Sequence, residues 1–271
     1  MKDSAPSPRR LQYLRDYRRR KRSIRLWQVC LLAGLFALWE LTTRLGLSDG
    51  FLTSSPSRMA GTLQSLWHSG DLWRHIGTSC LETVVGFTAG TLLGTAIAVA
   101  MWWWEKLARV LDPYLVVLNA LPKTALGPIF IVWMGAGMGA IIVMTLAISL
   151  IVTILTMYQG FVTTDPEKLR LMRSLGARRS QMLWLLVFPA NCPTLFNTLK
   201  VNVGLSWVGV IMGEFLVSRA GLGYLIVYGS QVFNMDLVMT SVLILALAAV
   251  VMYQLVLRVE KILNRTWGVQ S

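Results

Sequence analysis

From Leu26 onward the chain alternates long apolar blocks with short polar breaks. A helix needs about 20 residues to cross the hydrocarbon core of a bilayer. Blocks of that length occur at about 26–45, 77–103, 113–134, 140–161, 194–217 and 235–257. The pattern predicts an all-α, polytopic membrane protein with six transmembrane helices. Between the first two blocks, Ser55-Pro56 is a helix-start signal, and Met59 to Trp67 reads as an amphipathic, interfacial helix. Gly135 to Gly139 and Ser218 to Tyr224 read as a tight and a flexible turn, with an apolar segment after the second, up to Asn234.

The one long cationic and amphipathic interruption inside the apolar part is Asp165 to Pro189. At about 100° per residue, Leu169, Leu171, Met172 and Leu175 fall on one side of a helix, and Arg170, Arg173 and Ser174 on the other. Gly176 ends that helix, and a second amphipathic run, Met182, Leu183, Leu185 and Leu186, leads to Pro189. The periodicity alone fits a docking helix or a basic surface loop.

Composition agrees with the membrane reading: 55% of the 271 residues are hydrophobic and 14% charged. The net charge of +13 is concentrated before the first block, where residues 1–25 hold ten basic residues, Lys2 among them, against Asp3 and Asp16. A basic tail beside an apolar span is a topology signal, so residues 1–25 are expected in the cytoplasm beside anionic lipid, with no nucleic acid as partner. Six spans then return the C-terminal tail, 259–271, to the cytoplasm, with residues 26–258 as the membrane domain and 165–189 as a cytoplasmic loop within it. Cys30, Cys80 and Cys192 are isolated and read as packing residues. No metal-ligand spacing, nucleophile motif or phosphate-binding Gly-x-x-x-x-Gly-Lys-Ser/Thr loop occurs, so the expectation is a chain that is not an enzyme and binds no metal or cofactor.

Within the spans, Gly86, Gly90 and Gly94 form a small-residue stripe suited to close helix packing, as do Gly209 and Gly213. Pro122 and Gly127-Pro128 break the third block around Lys123, and broken backbone at membrane depth is tolerated against protein or a water-filled cavity. Asn119, Pro122 and Lys123 are therefore pathway candidates. So are Lys200, Asn202, Ser206, Trp207 and Glu214, which make the fifth block polar on more than one side. Lys200 and Glu214 are 14 residues apart, about 21 Å along a helix, so each needs a partner elsewhere.

The stretch Arg170-Leu171-Met172-Arg173-Ser174-Leu175-Gly176-Ala177, with Pro189 beyond it, resembles in spacing the coupling loop of binding-protein-dependent ABC importer permeases. Leu38-Trp39-Glu40-Leu41, Leu72-Trp73-Arg74-His75-Ile76, Ala120-Leu121-Pro122, Trp133-Met134-Gly135 and Gly221-Leu222-Gly223-Tyr224-Leu225 resemble the nitrate, sulfonate and taurine branch. Arg170 stands where that pattern has a Glu, with Glu167 one turn earlier. The resemblance implies a type I importer bundle in the inner membrane that carries a small anion such as nitrate, a sulfonate or taurine, or else a thiamine- or riboflavin-pathway precursor. It also implies a second permease copy, two ATPase subunits that use ATP and Mg, and an extracytoplasmic solute-binding protein. Coupling to the ATPase would then fall to Glu167, Leu171, Met172, Arg173, Leu175, Gly176, Ala177 and Pro189. An autonomous secondary transporter is the competing class, disfavoured because no inverted repeat and no cluster of intramembrane carboxylates or His is visible.

Overall fold

A computed structural model describes residues 8–47 and 49–267, all of whose regular structure is helical. Residues 1–7 of the basic tail, with Lys2, and residues 268–271 of the C-terminal tail lie outside the described residues. The chain divides into two units after Thr62. In the first, α1 (Pro8–Arg44) carries the basic segment and the first apolar block on one continuous helix, followed by α2 (Gly50–Thr53) and the start of α3 (Pro56–Ser69). Glu40 pins the end of α1 to α3: one carboxylate oxygen accepts from Arg44 at 2.7 Å, the other from the amide of Ser57 at 3.0 Å. A carboxylate over the first turn of α3 satisfies an orphan donor and complements the helix dipole.

The second unit holds α4 (Asp71–Trp103), α5 (Glu105–Ala120), α6 (Gly127–Met134), α7 (Met138–Val162), α8 (Pro166–Ser174), α9 (Arg179–Met182), α10 (Phe188–Ala190), α11 (Cys192–Val217), α12 (Leu222–Gln231) and α13 (Met235–Trp267). Its centre is the seam between α4, α7 and α11. A Cβ on Gly86 would overlap Thr145, one on Gly90 would overlap Ser149, and one on Gly94 would overlap Thr153. The same stripe of α7 receives Gly209 and Gly213 of α11, which lie against Thr145 and Ile141. Thr145, Ser149 and Thr153 bond the carbonyls of Ile141, Thr145 and Ser149, so their hydroxyls are satisfied inside α7. Where lipid removes the hydrophobic drive between helices, this backbone approach supplies the dispersion contact that holds them.

These contacts fix direction. Residue numbers rise together along α4 and α7, which are therefore parallel, whereas α11 runs antiparallel to both. Parallel neighbours require the chain between them to cross back, and α5 with α6 makes that return. The crossing is not one straight helix. It starts at Glu105 rather than near Pro113, which lies inside α5, and α5 meets the segment Lys123–Met134 at 94° after the break at Pro122. A 3-10 turn, Lys123–Leu126, leads into α6, with Pro128 in its first turn. Among the described residues five helices are long and apolar enough to cross a membrane, or six if the bent pair counts as one span. Arg258 and Lys261 lie within α13, which continues past the expected end of the last span to Trp267.

The α7 start, the α11 end and the α12 start share one end of the bundle with the α4 start, and the opposite end carries α8. A core of Ala98, Met157, Phe161, Leu183 and Val187 closes the α8 end, and Leu72, Leu222 and Ile244 close the α12 end. Lys200 on α11 pairs with Glu260 on α13 at 2.9 Å, both about four-fifths buried. That bond answers the need for a partner that the sequence raised for Lys200.

Gly90→Val tests the seam. Its Cβ meets Ser149 and stands 3.1 Å from the Leu146 carbonyl, so the helices must part. Overpacking at such a site costs about 1–3 kcal/mol. Thermal unfolding of the detergent-solubilised protein is expected to fall, with no comparable fall for Gly77→Val, whose surroundings are open.

Candidate functional site

The segment joining α7 to α11 is built as a stapled base carrying a raised helix. Asp165 caps α8 by accepting from the amide of Glu167 at 2.9 Å, with Pro166 in the first turn and Glu167 near the positive end of the helix dipole. At the other end the Ala177 amide donates to the Met172 carbonyl and the Gly176 amide to Arg173, both at 3.0 Å. This is a Schellman termination, and it requires the left-handed backbone found at Gly176, φ +77°. Nothing lies within 4 Å of where a Cβ would stand, so backbone conformation rather than space demands glycine here.

The base is fixed at two points. Asn191 donates to Thr164 and to the Val187 carbonyl, both at 2.9 Å, tying the beginning of the segment to its end. Arg179 donates to the Trp102 carbonyl at 2.9 Å while its guanidinium lies 5.3 Å from the Trp102 ring and 5.9 Å from the Trp103 ring. A cation on the last carbonyls of α4 is favoured by the helix dipole and by the faces of the indole rings. The segment is thus anchored to α4, α7 and α11 together.

The apolar residues of α8 divide between two tasks rather than sharing one side. Leu169 packs on the core at this end, and Met172 and Ala177 are half-buried. Leu171 is 60% and Leu175 77% exposed, one turn apart, with Arg170 and Arg173 exposed beside them. In the second run Met182, Leu183 and Val187 are buried, while Leu185 is 69% exposed. The departure from the expected apolar face comes from a π turn, Leu183–Val187, which adds a residue to the turn and shifts the register. Pro189, without an amide hydrogen, sits in the short α10 directly after it.

The pathway candidates fall into separate places. Asn119, Pro122 and Lys123 meet at the bend: the Lys123 ammonium bonds the Asn119 carbonyl at 3.1 Å and its side-chain oxygen at 3.2 Å, and Asn119 and Pro122 are exposed. Asn202, Ser206 and Trp207 are buried between helices. Asn202 donates to Thr153 at 2.7 Å and to Thr91 at 3.3 Å, which ties α11 to α7 and α4. Its side-chain oxygen, the Ser206 hydroxyl and the Trp207 indole N–H have no hydrogen-bond partner among the described residues.

Glu214 lies at the α12 end, where it is 2% exposed. It accepts from the Ser79 hydroxyl and from the Gly223 amide, each at 2.5 Å. Ser79 accepts from the Leu222 amide at 2.8 Å, and His75 Nδ1 from the Gly221 amide at 2.9 Å. The His75 ring stacks on Tyr224, 5.8 Å between centroids. Within the expected flexible turn at Ser218 to Tyr224, Gly221–Gly223 are therefore buried and bonded, because the groups that satisfy their amides come from α11 and α4, while Arg219 is exposed. The sequence names His75 only within a stretch of family resemblance and gives Ser79 and Glu82 no role. Their 4, 3 spacing places them on one face of α4, and that was the available signal. Among the described residues no group of three or more His, Cys, Asp or Glu side chains is placed to hold a metal ion.

Residues 90–269 match the family described as binding-protein-dependent transport system inner membrane component. The chain belongs to that family. It is 29% identical over 231 residues to a probable ABC transporter permease protein of Haemophilus influenzae, covering 85% of this chain and 94% of that one. It is 24% identical to the taurine transport system permease protein of Escherichia coli, covering 80% and 81%, and 25% identical to the formylaminopyrimidine transport permease protein of Halalkalibacterium halodurans, covering 84% and 91%. In fold it is similar to an inward-facing structure of the MetNI methionine ABC transporter, with a TM-score of 0.62 and 18% identity over 72% of this chain and 96% of that one. The protein is an ABC transporter permease subunit of the membrane, a transport component rather than a catalyst, and its family implies ATPase and solute-binding partners.

Asn191→Ala tests the stapled base. It deletes both side-chain hydrogen bonds, leaving the Val187 carbonyl only the backbone amide of residue 191, a loss of about 1–3 kcal/mol for the two bonds together. Limited trypsin digestion of the membrane-embedded protein is expected to cut α8 at Arg170 and Arg173 roughly tenfold faster or more than in wild type.

Proposed function

We propose that this permease is the pathway-forming subunit of an ATP-driven importer and that α8 is the element a separate ATPase grips. The observation that carries the reading is the division of labour in α8. Its base is stapled to three membrane helices, while Leu171 and Leu175 are exposed beside Arg170 and Arg173. An amphipathic helix offering two apolar anchors one turn apart, with a cationic rim, suits a groove on a soluble partner. Anchoring at Arg179, Leu169 and Asn191 turns force on α8 into movement of α4, α7 and α11 together.

The orientation follows from charge. Lys106, Arg109, Lys168, Arg170, Arg173, Arg178, Arg179, Arg258 and Lys261 gather at the α8 end, against Arg74 and Arg219 at the α12 end, which supports a cytoplasmic α8 end. The α12 end then faces an extracytoplasmic solute-binding protein. In this reading the bent α5–α6 crossing lines a pathway shared with a second copy of the chain. Its exposed face carries Tyr114, Val117, Leu118 and Leu121 together with Asn119 and Lys123.

The proposed solute is a small anion of the nitrate, sulfonate or taurine class. Lys123 supports it, since its ammonium bonds two neutral oxygens, whereas Lys200 is neutralised by Glu260. A vitamin precursor is the second reading, because the permeases named for formylaminopyrimidine and riboflavin are 25% and 26% identical, alongside 24% and 25% for those named for taurine and aliphatic sulfonates. Thermal stabilisation of the co-purified receptor by taurine, by an alkanesulfonate or by a pyrimidine decides between them.

Two changes test the grip. Leu171→Asp combined with Leu175→Asp removes the apolar anchors from an exposed surface, and Gly176→Val forces a β-branched residue into a left-handed conformation at a cost of about 1–3 kcal/mol. Both proteins are expected to insert normally. In proteoliposomes with the ATPase and loaded receptor, solute-stimulated ATP hydrolysis is expected to drop about tenfold or more. Undiminished stimulation in both would remove α8 as the coupling element.

A further inference from the structure

The first amides of a helix have no partner within it and are ordinarily capped by a nearby side chain in sequence. At α12 the N-cap residue is Gly221, which has none. Three successive amides, of Gly221, Leu222 and Gly223, are bonded instead by His75, Ser79 and Glu214, that is, by α4 twice and by α11 once. Ser79 also donates to Glu214, so the acceptors form one network rather than three separate bonds. All six residues are buried, and a carboxylate over a helix N-terminus adds the attraction of the dipole. The fit has no slack. A Cβ on Gly221 would overlap the Glu214 carboxylate, and one on Gly223 would stand 2.8 Å from its oxygen. Glu82, buried on the same face of α4 as His75 and Ser79, neighbours this network, and its Oε2 has no hydrogen-bond partner among the described residues.

We propose that Glu214 is a positioning residue for transport: by capping α12 from outside, it joins the ends of α4, α11 and α12 into one block, around which rather than within which the pathway opens and closes. This rests on the importer reading above. α4 and α11 are the two helices that extend from the cap to the stapled base of α8, where Arg179 holds the end of α4 and Asn191 precedes α11. Movement imposed at α8 therefore reaches α12 through two rigid elements that converge on the same three amides. Opening the junction would strand those amides in a buried site all at once, so it resists hinging.

The test uses the complete complex, with ATPase and solute receptor, in lipid nanodiscs. Hydrogen exchange is followed in the peptide from Ser218 to Leu225, without nucleotide and with ATP trapped, and ATP-driven uptake per inserted molecule is measured in proteoliposomes. In wild type the amides of 221–223 are expected to stay equally protected in both states. Glu214→Gln turns an N–H2 toward the Gly223 donor. It is expected to speed their exchange, and to lower uptake per molecule, by about tenfold or more. If Glu214→Gln does not insert, Ser79→Ala, which removes a single bridging hydroxyl, carries the same two readouts. Loss of protection in one nucleotide state of the wild type, or rapid exchange in the variant with full uptake per molecule, would overturn the proposal. Wild-type complex that moves no solute with ATP would overturn the importer reading instead, and the wild-type exchange pattern would still decide whether the cap holds in both states.

Discussion

Close backbone approach between α4, α7 and α11 is the constraint on which the rest of the molecule depends. In lipid, apolar side chains gain little by leaving the acyl chains for one another, so helices stay together through contact dispersion and matched polar groups. Glycines on α4 facing Thr145, Ser149 and Thr153 on α7 provide the first, and Asn202 bridging to Thr153 and Thr91 provides the second. With the three helices locked, both ends of the bundle become platforms. One presents α8 on a base tied to all three, and the other presents α12 on a cap formed by α4 and α11.

The two platforms obey opposite rules of exposure. At α8 the polar bonds lie beneath, at Asn191 and Arg179, and apolar side chains face outward, as suits docking to a partner. At α12 the polar bonds are sealed inside, where every amide that opens the helix has an acceptor, as suits transmission without give. Glycine serves both ends for different physical reasons. Gly176 supplies a left-handed backbone in open space, and Gly221 supplies room for a carboxylate.

Much of this was legible from residue order. The apolar blocks gave the spans, the four-residue glycine spacing marked the packing face, and Gly176 marked the end of α8. Less visible features depended on long-range partners. The 94° bend had its break signalled by Pro122, but no local signal sets an angle that depends on how α5 and α6 fit against α7. The π turn at Leu183–Val187 moved Leu185 out of the face that simple periodicity assigns it. Glu214 stood out as a charge in a span, yet its role as a cap required Ser79, 135 residues away in sequence, and the Gly221–Gly223 amides. Periodicity identifies a face, and only packing decides what that face meets.

The most direct measurement is a photo-crosslink from α8. A benzoyl-phenylalanine at Leu175, exposed at the α8 end, and another at Trp133, 75% exposed in α6, are compared in the assembled complex in native membrane. Docking of α8 into an ATPase groove predicts an adduct with the ATPase subunit from position 175 and none from position 133. An ATPase adduct from position 133 with none from 175 would contradict it.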